Sequence, residues 1–94
     1  MFTFTDVWSY TIPTQAHAEK TGWTVTRPEV FNTNAAFYVR RGDNRIRVEL
    51  VDMEDRTMEL YVNGLCKGYA TAKTIRLNLL DTVKTAIRQK DFML

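Results

Sequence analysis

Residues 36–71, AFYVRRGDNRIRVELVDMEDRTMELYVNGLCKGYAT, decide the fold. Apolar side chains recur there at every second position, and each break in the alternation falls on turn residues. Phe37 and Val39 alternate with Tyr38 and Arg40, and Gly42, Asp43 and Asn44 then supply residues that tolerate positive φ, so the chain reverses there. Ile46, Val48 and Leu50 alternate with Arg45, Arg47 and Glu49 until the polar run 52–56 turns the chain again. Met58, Leu60 and Val62 make a third inward row. Asn63-Gly64 follows, and this pair suits both positive-φ positions of a type I′ hairpin turn. A two-residue turn there predicts that Val62 pairs with Leu65, Leu60 with Lys67 and Met58 with Tyr69. Leu65, Lys67 and Tyr69 then share the buried face, with Lys67 either snorkelling past the sheet end or guarding an edge strand against unwanted pairing. The stretch predicts a β-meander whose fourth strand is short and lies at an edge.

On the C-terminal side, Leu79, Leu80, Val83, Ala86 and Ile87 follow the stripe of an amphipathic helix, with Lys84, Thr85, Arg88 and Gln89 turned outward. The pattern predicts a helix from about Thr74 to Lys90, with Asn78 and Asp81 resembling a capping box at a rival start. On the N-terminal side, Trp23 to Thr26 reads as extended, Pro28 stops it, and residues 32–34 form a turn. Pro13 and Thr14 open a helix of two turns, with Thr14 as the cap and Gly22 as the left-handed residue at its end. Phe2 and Phe4 alternate with Thr3 and Thr5, and the alternation runs on through Asp6, Trp8 and Tyr10, which reads as a strand added to the meander; a short helix from Asp6 is the other reading. The fold class is α+β: an antiparallel β-meander of four or five strands, a C-terminal helix packed on one face and a short N-terminal helix. Residues 1–94 form a single domain.

A hydrophobic fraction of 45% with 26% charged residues is that of an ordered globular domain rather than a disordered segment. Thirteen Lys and Arg against 11 Asp and Glu leave +2, too even a balance for total charge to argue nucleic-acid binding. One cysteine, Cys66, excludes an internal disulfide, and one histidine, His17, leaves no metal-ligand set, so no cofactor or metal is expected and a reducing, cytoplasmic compartment is. The sequence shows neither the basic and apolar regions of a signal peptide nor an apolar run long enough to span a bilayer.

With the alternate residues inward, Tyr38, Arg40, Arg45, Arg47, Glu49, Glu59 and Tyr61 point outward. Arginine and tyrosine are enriched at protein interfaces, where they join contact area to directional polar groups. The candidate partner-binding residues are Tyr38, Arg40, Arg41, Arg45, Arg47 and Tyr61. Arg40, Arg41 and Arg45 gather at one sheet end and Asp52, Glu54 and Asp55 at the other. The expected function is a small non-enzymatic binding domain acting on another protein, such as the inhibitors and adaptors that phages use against host enzymes. A homodimer through the edge strand or the apolar tail Phe92-Met93-Leu94 is a further arrangement of the same kind. The alternative is nucleic-acid binding, with arginine on phosphate and Tyr38 and Tyr61 stacked on bases. In architecture alone, a three-stranded sheet backed by one helix resembles the plant ethylene-response domains and phage integrase arm-binding domains, whose signature residues this chain does not carry.

Arg41-Gly42-Asp43 spells the integrin-binding tripeptide on a predicted hairpin tip, where Gly-Asp is also what the turn itself requires. No nucleophile is paired with a base: His17 sits on a short helix with Glu19 and Lys20, and Cys66 lies in a strand beside Lys67. The acidic run lacks the glycine and ligand spacing of a calcium loop and reads as a solvated turn.

Overall fold

The computed structural model describes residues 1–55 and 57–93. Arg56 of the polar run and Leu94 of the apolar tail lie outside the described residues. Helices α1 (Phe4–Tyr10) and α2 (Ile12–Thr21) lead into short strands β1 (Thr24–Val25) and β2 (Glu29–Phe31). Strands β3 (Asn34–Arg41), β4 (Asn44–Asp52), β5 (Thr57–Val62) and β6 (Leu65–Thr71) follow, and α3 (Ile75–Met93) comes last. The sheet is antiparallel in the order β1-β3-β4-β5-β6, with β2 also paired to β3. This is the α+β meander that the alternation predicts.

The inward rows pack as read. Phe37, Val39, Ile46, Val48, Leu50, Met58, Leu60 and Val62 are all buried, in one cluster with Ile75, Leu79, Val83, Ala86 and Ile87 of α3 and with Val7, Ala18 and Trp23. Each fully buried aliphatic side chain is worth about 1.5 to 3 kcal/mol, so the five-residue stripe of α3 holds that helix to the sheet more firmly than its propensity does. Trp23 belongs to this core, whereas Trp8 is half-buried and stacks on Phe4 with ring centroids 5.9 Å apart.

Three hairpins set the register. Arg41 pairs with Asn44 around Gly42, whose φ is +59°, and Val62 pairs with Leu65 around Asn63 and Gly64, with φ of +50° and +84°. Asn63 does more than turn: its Oδ1 accepts from the Arg47 N–H at 2.9 Å, and its own N–H donates to the Arg47 carbonyl. At the far end Asp52 accepts from the Glu54 N–H and pairs with the Met1 ammonium, and Asp55 accepts from the Thr57 N–H.

Four expectations are corrected. The segment after Phe2 is helical rather than a strand, because the Thr3 hydroxyl caps the Asp6 N–H at 3.1 Å and Asp6 sits in the positive first turn. Helix α2 begins before Thr14: Thr11 is its N-cap, Pro13 falls in the first turn, and Thr14 is buried inside. The same helix runs for 10 residues, nearly three turns rather than two; Pro28 ends the first extended segment as read, and β2 then pairs with residues 34–36. The fourth correction is the register of β6. Tyr61 pairs with Cys66 but Leu60 pairs with Gly68 and Met58 with Ala70, so Lys67 is the extra residue of a β-bulge. Gly68 makes the bulge with φ +128°. Ala70 therefore takes the inward place expected of Tyr69, and Leu65, Lys67 and Tyr69 are exposed. Helix α3 starts after Thr74, the first of its two candidate starts, and Asn78 instead donates to the Tyr69 carbonyl at 3.2 Å.

Candidate functional site

All three helices lie on the inward side, so the other face of the sheet carries no covering element among the described residues. Directly paired residues share a face, and the pairings lay that surface out in rows. Arg40 lies opposite Arg45, Tyr38 opposite Arg47, Ala36 opposite Glu49, and Asn34 opposite Val51. Glu49 continues to Tyr61 and Cys66, and Val51 to Glu59 and Tyr69. Phe31 extends the last row beyond Asn34, and Glu29 lies beside Ala36.

Charge is segregated along the strands. The end carrying the Gly42 and Gly64 turns holds Arg40, Arg45 and Arg47, and the following rows hold Glu29, Glu49 and Glu59. The boundary is bonded: Arg47 Nη1 is 3.4 Å from Glu49 Oε1, and Asn34 Nδ2 donates to Glu49 Oε2 at 3.2 Å. Arg45 places its guanidinium 5.8 Å from the centre of the Tyr38 ring. Among the described residues the guanidinium groups of Arg40 and Arg45 form no ion pair. Ala36 leaves a dip towards the β1 and β2 rim of the face, part of a cleft of about 280 Å³ walled by Thr26, Arg27, Glu29, Tyr38 and Arg47.

Tyr61 donates to Glu59 Oε2 at 2.9 Å, and this bond to a carboxylate holds the phenol pKa above its ordinary value by favouring the protonated form. Glu59→Gln replaces the charged acceptor with a neutral one. The Tyr61 titration, followed by ultraviolet absorbance against a Tyr61→Phe reference, is expected to move down towards that of a free tyrosine; an unmoved titration would show that the bond does not form in solution.

Of the six candidate residues, Tyr38, Arg40, Arg45, Arg47 and Tyr61 share the outer face, and Arg41 stands apart. Strand alternation sends Arg41 to the helix side, where its guanidinium lies 4.6 Å from the centre of the Trp23 ring and Nη2 meets Asp91 Oδ1 in the last turns of α3. The Arg-Gly-Asp tripeptide is thus not displayed as a unit, since its arginine is engaged below the sheet. Phe31 and Tyr69 are outer-face aromatics that periodicity missed. The signals for them were Gly68, a residue fitted to a bulge, and the resumption of β-branched and aromatic residues after Pro28.

Cys66 is exposed on the outer face and His17 lies on α2 on the opposite side, so the two form no nucleophile–base pair. Burial, with Lys84 and Lys20 nearby, lowers the His17 pKa. No group of three or more metal-ligating side chains converges among the described residues, and no described helix is long and apolar enough to cross a membrane. A second concavity of about 460 Å³ opens at the acidic end, lined by Phe2, Asp6, Tyr10, Met58 and Lys73. Burial is the main cause that raises the Tyr10 pKa there, with Asp6 adding to it. Compared with models of protein families, with curated proteins and with solved structures, the chain matches none.

Proposed function

We propose that the chain is a small non-enzymatic binding domain that acts by protein–protein contact through the outer face of its sheet. The observation that carries this reading is the direct opposition of Arg40 and Arg45. Like charges directly opposite on a ladder destabilise it, so the pair favours a state in which an acidic group of a partner lies beside it. Tyr38, Tyr61, Tyr69 and Phe31 supply the large rigid contact area on which interface energy concentrates. The lone exposed thiol of Cys66 suits a reducing cytoplasm. A single domain of this size, with an uncovered sheet face, is also the format of the inhibitors and adaptors that phages direct at host enzymes.

The test is capture from a lysate of the source cell after nuclease treatment, comparing the wild type with the Arg40→Glu, Arg45→Glu double variant. A protein is expected to bind the wild type and to bind the variant at least roughly thirtyfold more weakly, the effect of losing a hot spot of about 2 kcal/mol. Undiminished capture by the variant sinks the reading.

Nucleic-acid binding is the second reading, favoured by three tyrosines on the face that carries the arginines. Glu49 and Glu59 oppose it by repelling phosphate. It predicts a signal that vanishes with nuclease, falls steeply with salt, and drops when Tyr38 and Tyr61 are removed.

A further inference from the structure

We infer that the outer face closes on a second copy of this chain, the two sheets stacked face to face with their strands antiparallel across the interface. This rests on the reading of that face as protein-binding and names its partner. The segregation of charge along the strands is the ground for it. An axis parallel to the strands sets arginine against arginine. An axis lying between the sheets and perpendicular to the strands reverses each strand over its own copy and sets the arginine rows against the glutamate rows.

Placed between the Tyr38–Arg47 row and the Ala36–Glu49 row, that axis puts Arg47 over Glu49 of the second copy and Arg45 beside its Glu59. The same operation lowers the Tyr38 ring into the dip over Ala36 of the second copy, so bulk meets space where charge meets opposite charge. The contact is isologous and closes after two copies. The 35 residues of the six strands, each covering about 4.8 by 3.3 Å, make a face of roughly 550 Å² in plan. Side-chain relief raises that towards the about 800 Å² per partner of a standard interface.

Sedimentation velocity of the purified chain tests this, with Arg47→Glu, Glu49→Lys, an equimolar mixture of the two, and Ala36→Arg, which fills the dip and sets a competing cation beside Glu29 and Glu49 of its own copy. The wild type is expected to be a dimer. Each variant alone associates at least tenfold more weakly, and the mixture recovers because each altered side chain meets its complement across the axis. Circular dichroism identifies any variant that fails to fold. Cys66 lies in the Ala36–Glu49 row near the axis, so a short bis-maleimide links two wild-type copies and fails to link Ala36→Arg. A wild type that stays monomeric at its highest soluble concentration overturns the proposal. So does a dimer that folded Ala36→Arg leaves intact, or a mixture of folded charge variants that does not recover. A monomer that still loses a lysate protein on reversal of Arg40 and Arg45 ends the dimer and leaves the binding reading standing; a monomer that captures nothing ends both.

Discussion

Trp23→Ala is expected to remove about 3 to 5 kcal/mol of stability, lowering Tm by at least about 12 °C for a domain of this size. Trp23 is 1% exposed, between α2 and β1, and it is the platform on which the Arg41 guanidinium rests. Truncation opens a cavity larger than any aliphatic deletion in this core and takes away the ring that positions Arg41 towards Asp91. The ion pair itself is partly exposed and adds at most about 1 kcal/mol, so the loss is mainly one of packing. Trp23→Phe separates the two contributions. It keeps an aromatic platform and discards an indole N–H that is buried without a hydrogen-bond partner, so it should cost less than about 1.5 kcal/mol. Thermal melts followed by circular dichroism measure both. Equal losses would mean that the ring does not serve as the platform described.

A second large effect is expected from Leu79→Asp, which should leave the chain unfolded at 25 °C. Leu79 is fully buried in the α3 stripe, and the change both deletes its apolar area and forces a carboxylate into the core. Those costs are of the order of the whole stability of a small domain, about 5 to 15 kcal/mol. Leu77→Asp is the internal control. It lies two residues earlier on the same helix, is 64% exposed, and should change stability by no more than about 0.5 kcal/mol. Proton NMR dispersion and a cooperative melt distinguish the two. A Leu79→Asp protein that melts cooperatively within a few degrees of the wild type would mean that α3 does not pack on the sheet through this stripe.

The meander and α3 were legible because each has a single unbroken period and boundaries marked by residues with one local use. Asn63-Gly64 gave its hairpin register correctly as far as Cys66. What failed beyond it was one residue: a bulge shifts the parity of everything downstream, and the period-two reading then assigns Tyr69 and Ala70 to the wrong faces. Phe2 to Tyr10 failed for a different reason. An alternation of Phe and Thr over so few residues has the same appearance in a strand and in a capped helix, and here the Thr3 cap decided for the helix. In the candidate site, parity placed five of the six residues together, and it was Arg41, on the odd side of the strand, that the clustering by sequence end could not separate.

The bulge at Lys67 and Gly68 also determines how far this sheet can grow. Strand addition at β6 needs a straight edge with its hydrogen-bonding groups in step, and the extra residue throws them out of step while Lys67 puts a charge on the rim. At the opposite rim, β1 and β2 are two short pieces separated by Thr26, Arg27 and Pro28, so no continuous template exists there either. Both propagation ends are thus capped. A bulge at one rim and a broken strand at the other are features by which sheets discourage strand addition between folded copies.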